Sequence, residues 1–293
     1  MSLENFKIFR DIAQTKRISR GAAMNGISQS AASQLIQQLE RKLGVALFDR
    51  SKRPLALTPA GQVYYEGCKD LLRRYEQVET GLEKLRGEAS GSVRVACIYS
   101  IGLNEMARYT AEFQQAHPRA RVRLEYLRPD KMYEAVQEDQ TDLGLVSYPA
   151  PSKEIRVVDW RKERMILVLY PSHRLAGRDV VEPPEIAGER LVSFDDDLPI
   201  RKALDRFFRA CGVTVEPVLQ FDNIQMIKEA VAIGSGIGIL PEPTVAPEVV
   251  LGRLVTARLS GPELSRPLGI IHRRGKKLSP TAEQFLEFLR SKS

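Results

Sequence analysis

From Thr58 the chain reads TPAGQVYYEGCKDLLRRYEQVETGLEKLRG, and Tyr64, Cys68, Leu71, Tyr75, Val78, Leu82 and Leu85 recur in steps of four and three. That spacing is a heptad seam over about three repeats. Thr58 caps the helix, and Pro59 takes its first position, where a missing N–H costs nothing. Such a seam needs a partner helix. The charged flanks Lys69, Arg73, Arg74, Glu76, Glu79 and Glu83 favour a second copy of the chain. The competing reading is an amphipathic helix lying on its own domain. Gly81 weakens the helix slightly, and the run Gly87–Gly91 is expected to break it as a hinge. The seam divides the chain into a short N-terminal module (1–58), a connecting helix (59–88) and a long body (89–293).

The body changes period. VRVACI, RVRLEY, DLGLVSY, MILVLY, RLVSF, VEPVLQF and IGIL alternate with helical stretches expected over 104–116, 130–138, 199–210 and 223–234. A late strand LGIIH and a helix over 280–290 follow. Alternation of this kind predicts an α/β fold with parallel strands. Two such units imply two subdomains with a cleft between them, and ligands in such folds sit at the carboxyl ends of strands.

The module before the seam carries most of the charge imbalance. Its first 62 residues hold ten Lys and Arg against four Asp and Glu, whereas the whole chain has a net charge of only +7. A concentrated positive balance marks an anion-binding module joined to an electrically ordinary body. Leu3, Phe6, Phe9 and Ile12 fit one amphipathic helix, Ser19 is expected to cap a second, and Asn25–Gly26 signals a turn. Ser28 caps the next helix, SQSAASQLIQQLE. At about 100° per residue, Ala32, Ile36, Leu39 and Leu43 fall on one side. Ser30, Ser33, Gln34 and Gln37 fall opposite, with Gln29 at the tip. Helix, tight turn and capped helix form a helix-turn-helix. Uncharged amide and hydroxyl groups on the outer face suit the base edges of a DNA major groove, which Gln and Ser can both address. In LGVALFDRSKRPLALTPAG, two short apolar runs flank Arg50, Lys52 and Arg53. This is a wing whose cations, with Thr58 beside them, would contact phosphate and fix register.

The AA pair at 22–23, ISQSA-S at 27–33, I--LE at 36–40, LG--LF-R at 43–50 and LTPAG at 57–61 resemble the signature of the LysR-type transcriptional regulators. GSVRVACI at 91–98, DLGLV at 142–146 and VAIGSGIGILPE at 231–242 extend the resemblance over essentially the whole chain. The resemblance implies a winged helix-turn-helix that binds an interrupted palindrome in double-stranded promoter DNA. It also implies a linker helix that pairs two subunits, with pairing of dimers into a tetramer as a further expectation. The body would be an effector domain similar to a periplasmic binding protein. Its chain would cross between subdomain I (about 91–161 and 267–293) and subdomain II (about 162–266) near 161–163 and 265–267. Family members often carry Arg after the serine that stands here as Ser33, and another basic residue near 37. Gln34 and Gln37 depart from that, so an operator preference does not transfer.

Candidate effector residues follow the strand ends: Ser100, Ile101, Arg128, Ser147 and Tyr148 in one subdomain, and Phe194, Ile200, Arg201, Asn223 and Ile224 in the other. Ser100 and Asn223 suit a carboxylate, and Arg128 and Arg201 would add charge-assisted bonds, which points to an anionic small molecule. RNA polymerase is a further candidate partner.

Other chemistries find less support. GSGIG at 234–238 follows a helix and precedes a strand, the reverse of a dinucleotide loop. Asp195, Asp196 and Asp197 lack further carboxylates to complete a cation cage and read as a solvated loop. Cys68, Cys97 and Cys211 form neither zinc spacing nor disulfide framework, and His117, His173 and His272 are scattered. No metal or cofactor is expected, and no nucleophile motif supports an enzyme. No stretch approaches the roughly 20 apolar residues of a membrane span, and the start MSLENFKIFRDIAQ carries acids and has no apolar export core. A cytoplasmic protein that does not engage membranes is therefore expected. The alternative is a small-molecule receptor with no DNA role, which leaves the basic module unexplained.

Overall fold

Phe9 and Ile12 are fully buried in α1 (Leu3–Thr15), and the next helices are built around them. This computed structural model describes residues 2–86 and 91–292, without the side chains of 76, 77, 79–81, 83–86, 103 and 104. It divides into two units, Met1–Arg86 and Gly87–Ser293.

In the first unit α2 (Ile18–Met24) crosses α1 at Gly21, where a Cβ would stand 2.6 Å from Ile12 Cγ1. The cap expected at Ser19 is not there. Ile18 packs on the core and draws the helix start back, so that Arg17 occupies the cap position without a side-chain bond. Asn25 and Gly26 make the turn, with Gly26 at φ +66°. The Asn25 amide donates to Asp11 Oδ2 at 2.8 Å and to the Gly21 carbonyl at 2.9 Å. Ser28 Oγ then accepts the Ala31 N–H at 3.1 Å and starts α3 (Gln29–Leu43). Ala32, Ile36 and Leu39 are buried as the spacing requires. Leu43 is 39% exposed, because it is the last helical residue before Gly44 turns the chain at φ +68°. β1 (Phe48–Asp49) and β2 (Ala56–Leu57) pair antiparallel as the wing.

α4 (Pro59–Arg86) is continuous through Gly81, and its seam splits. Tyr64 meets Phe9 edge-on with ring centroids 4.9 Å apart, and Cys68 is 2% exposed in the same core. These two side chains are therefore held by their own unit, not offered to a partner. The reason is local: α1 and β2 lie beside the first turns of α4. Past Leu72 every described side chain of the helix is exposed, and Leu71, Tyr75, Val78 and Leu82 stand open. The Leu85 side chain and residues 87–90 of the expected hinge lie outside the described residues.

The second unit opens with β3 (Ser92–Cys97), then α5 (Tyr99–Ile101), a π turn (Gly102–Met106) and α6 (Ala107–Ala116). The helix expected from 104 thus begins at Tyr99. β4 (Arg121–Tyr126), α7 (Pro129–Gln137), β5 (Leu143–Ser147), β6 (Ile155–Leu169) and β7 (Val180–Val181) follow. Next come β8 (Leu191–Phe194), α8 (Pro199–Ala210), β9 (Pro217–Phe221), α9 (Ile224–Ala232), β10 (Gly238–Pro241) and α10 (Ala246–Val250). β11 (Val255–Leu259), β12 (Ser265–Arg273) and α11 (Pro280–Arg290) complete the chain.

The fold is α/β, but the sheet is mixed. β3 runs parallel to β4 and β5, and β8 to β9. β12 is antiparallel to β5 and β6, and β10 and β11 are antiparallel to β6. The expectation of parallel strands fails there for a topological reason. β6 enters the second lobe and β12 leaves it alongside, so the two must run in opposite directions. One core gathers Val93–Trp160 with Leu268–Leu289, and the other lies within Met165–Ala257. Between them Arg161 to Arg164 pair with Leu268 to Ser265.

Candidate nucleic-acid interface and ligand cleft

Gln29, Ser30, Gln34 and Gln37 are exposed on α3, and Ser33 is half-buried. Ser28 Oγ is engaged in the cap and lies 2.9 Å from Ser30 Oγ. The outer face of the helix is thus a row of neutral donors and acceptors. Charge stands beside it in the wing. Lys52 is exposed and lies 3.9 Å from Asp49, and Arg53 is exposed.

Two candidates of the wing have intramolecular roles. Arg50 Nη2 bonds Glu40 Oε2 at 2.9 Å, while Glu40 Oε1 accepts the N–H groups of Leu47 and Phe48 at 2.8 and 3.2 Å. Glu40 therefore joins α3 to the wing, a part the sequence reading missed because its partners lie seven, eight and ten residues away. Thr58 Oγ1 donates to the Ala46 carbonyl at 2.7 Å and accepts the Gly61 N–H at 2.9 Å. Its hydroxyl caps α4 and does not serve as a phosphate donor.

The cleft of the second unit is lined by Ser100, Arg128, Ser147, Phe194, Ile200, Asn223 and Ile224 among the expected residues. Ile98, Tyr99, Leu127, Leu198, Asp222 and Arg266 complete most of its wall. The starts of α5, α7, α8 and α9 meet here because each follows a strand end. Asn223 Oδ1 accepts the Met226 N–H at 3.0 Å, and its amide donates to Asp222 at 2.9 Å, so it acts first as a cap.

Three expected residues do not line this space. Ile101 is 1% exposed and belongs to the core of its own lobe. Tyr148, at φ +50°, turns its hydroxyl to donate to the Ser265 carbonyl at 3.2 Å, and burial raises its pKa to about 12. Arg201 bonds Asp205, the Phe194 carbonyl and Gln220 at 2.8 to 3.1 Å, all within its own lobe. Arg128 does reach the cleft, but it donates to Asp197 at 2.9 Å and to Asp222 at 3.2 Å, both on the facing lobe. It is a clasp between lobes, and Asp197, expected only as part of a solvated loop, is one of its holders.

Arg266 is the residue that sequence reasoning missed. It is 2% exposed, and its Nε and Nη2 both donate to Glu163 Oε2. Nη1 donates to Ser100 Oγ at 2.8 Å. Burial lowers the guanidinium's pKa, against the pull of the Glu163 carboxylate. Glu163 Oε1 accepts from Arg161 at 3.0 Å, and Arg161 also pairs with Glu105 in the π turn. An alternating chain of charges thus runs from the cleft across both connecting strands. No spacing signals it, since Arg266 and Glu163 meet only through the register of β6 and β12. Among the described residues no cluster of His, Cys, Asp or Glu is placed to hold a metal, and no helix is long and apolar enough to cross a membrane.

Residues 3–62 match the family model of the bacterial regulatory helix-turn-helix protein, lysR family, and residues 86–293 match that of the LysR substrate binding domain. The chain is similar to a RuBisCO operon transcriptional regulator of Allochromatium vinosum, with 29% identity over 294 residues, covering 100% of this chain and 97% of that one. It is similar to the HTH-type transcriptional activator CmpR of Synechocystis sp., with 25% identity covering 98% and 94% of the two chains. Its fold is similar to that of full-length CbnR complexed with its target DNA, at a TM-score of 0.67 and 20% identity over the whole of both chains.

Proposed function

The chain belongs to the LysR family of DNA-binding transcriptional regulators, and from that premise we propose how its own residues divide the work. Gln29, Ser30, Ser33, Gln34 and Gln37 read base edges from the major groove, and Lys52 and Arg53 hold the flanking phosphates. The observation that carries this is the exposed, uncharged row on α3 beside the exposed cations of the wing. Amide and hydroxyl groups discriminate base edges, and the wing cations supply sequence-independent attraction.

Leu71, Tyr75, Val78 and Leu82 on α4 pair two subunits, so that two reading helices meet an interrupted palindrome. A small-molecule effector enters the cleft and shifts an equilibrium between arrangements of the lobes, which alters the spacing of paired heads on DNA. Dimers pair further into tetramers, and RNA polymerase receives the signal at the promoter. This is work on chromosomal DNA, in the cytoplasm.

The test is selection of sheared DNA from the source genome by the purified protein at near-physiological salt, followed by sequencing of what is retained. Enrichment of sites with two half-sites on one face of the duplex is expected. Retention without enrichment, both with and without added metabolite extract, overturns the reading of α3 as a base-reading helix.

A further inference from the structure

We propose that Arg266 is the ligand-recognising cation of the cleft and that the cleft admits a small organic molecule with a single negative charge on an otherwise apolar body. The inference rests on the effector-cleft reading above. A guanidinium offers five N–H groups. Three are used by Glu163 and Ser100, which leaves one on each terminal nitrogen without a partner among the described residues. A cation this deeply buried is costly to leave short of acceptors. Arg266, Ser100 and Ser147 all line the cleft, and Arg266 Nη1 lies 2.8 Å from the Ser100 hydroxyl. A carboxylate seated there accepts from Arg266 and a serine together, in the short charge-assisted geometry that guanidinium and carboxylate favour.

The rest of the wall limits the charge to one. Arg128 is held by Asp197 and Asp222 across the cleft, with Asp130 at 3.7 Å beside it. In the adjoining space of about 290 Å³, lined by Tyr99, Ser100 and Asp222–Gln225, the one cation among the described residues is Lys228. It is 6% exposed and bonded to Glu248 at 2.8 Å and to the Thr244 carbonyl at 2.9 Å. A second negative group would have to displace an existing carboxylate or stand near Asp222 unpaired, and an unpaired buried charge is strongly unfavourable. Ile98, Leu127, Phe194, Leu198, Ile200 and Ile224 face the remainder of the ligand and favour carbon over further polar groups.

The experiment is isothermal titration of the full chain with four probes of matched size: pentanoate, pentanamide, glutarate and propyl phosphate. Pentanoate is expected to bind at least tenfold more tightly than the other three. Ser100→Ala, which removes only a hydroxyl beside Arg266, is expected to weaken pentanoate several-fold and leave the order of the probes unchanged. Arg266→Gln is expected to abolish the preference for pentanoate over pentanamide. Should that variant fail to fold, the order of probes on the native protein still decides. Glutarate or propyl phosphate binding as tightly as pentanoate overturns the single-charge rule, and pentanamide binding as tightly overturns Arg266 as the discriminating cation. If all four fail to bind while a metabolite extract still shifts the protein–DNA complex, the ligand class is wrong and the effector reading stands. If the extract is also without effect, both fall.

Discussion

Single side chains on α3 and in the wing divide specificity from attraction. Gln34 and Gln37 are exposed and neutral, so replacing either with Ala is expected to change base preference by about 1–3 kcal/mol at one position and to leave the salt dependence alone. Arg53→Ala is expected to weaken binding to all sequences and to lower the salt slope by about one. Binding to operator variants at several salt concentrations separates the two. A second residue-scale prediction concerns Asp142. Its carboxylate accepts the backbone N–H of Arg94 at 2.7 Å, the Arg94 guanidinium at 2.8 Å and Lys276 at 2.7 Å. Burial works to raise its pKa, but Arg94 and Lys276 overcome this and hold it well below the usual carboxylate range. A carboxyl depressed in the folded state adds stability that is complete above its unfolded pKa of about 4, and that stability is lost as pH falls toward the folded value. Asp142→Asn is expected to lose about 3–5 kcal/mol at neutral pH and to show a flatter acid limb below pH 4 in chemical denaturation.

At the scale of elements, α4 shows what a sequence pattern can and cannot say. Its seam was legible as apolar positions every three or four residues. What hides behind each position was not, because a heptad reads the same whether the covering partner is foreign or domestic. Tyr64 and Cys68 pack in the core of their own unit, whereas Leu71, Tyr75, Val78 and Leu82 are exposed. Leu71→Glu or Val78→Glu is therefore expected to yield folded monomers in sedimentation velocity. Tyr64→Ala is expected to lower thermal stability by roughly 2–4 kcal/mol while what remains folded still associates. The same distinction accounts for the cleft. Loops after strands were legible from the α/β alternation, and with them Ser100, Ser147, Phe194, Asn223 and Ile224. Arg201 and Ile101 were misplaced because rotation about a helical turn decides whether a side chain enters the cleft or stays with its own lobe, and Tyr148 because the chain after β5 turns at φ +50° and sends its hydroxyl to Ser265. Arg266 was invisible for a different reason, since it lies within a strand and acquires its role only from the strand beside it.

At the scale of the effector body, two lobes are joined by β6 and β12 and clasped by Arg128. The clasp is partly exposed, so each of its pairs is worth little alone and is screened by salt. Amide exchange in 127–131 and 195–199 is expected to quicken as salt rises in the native protein. In Arg128→Ala it is expected to be fast at every salt concentration, which hydrogen-exchange mass spectrometry can follow. An unaltered exchange pattern in that variant would show that the lobes are held by other contacts.

The pairing of Arg164 with Ser265 means that the chain leaves the first lobe and comes back to it at neighbouring points. Everything between, residues 165–264, is a parenthesis in the sequence. Its removal leaves two strand ends about 5.5 Å apart or less, close enough for a two-residue turn to join them. The first lobe would keep β4, β3, β5, β12 and the start of β6 in unbroken order, and so a lineage of such chains can exchange the whole enclosed passage, and with it half of the cleft wall, by one insertion event that never disturbs the surrounding text.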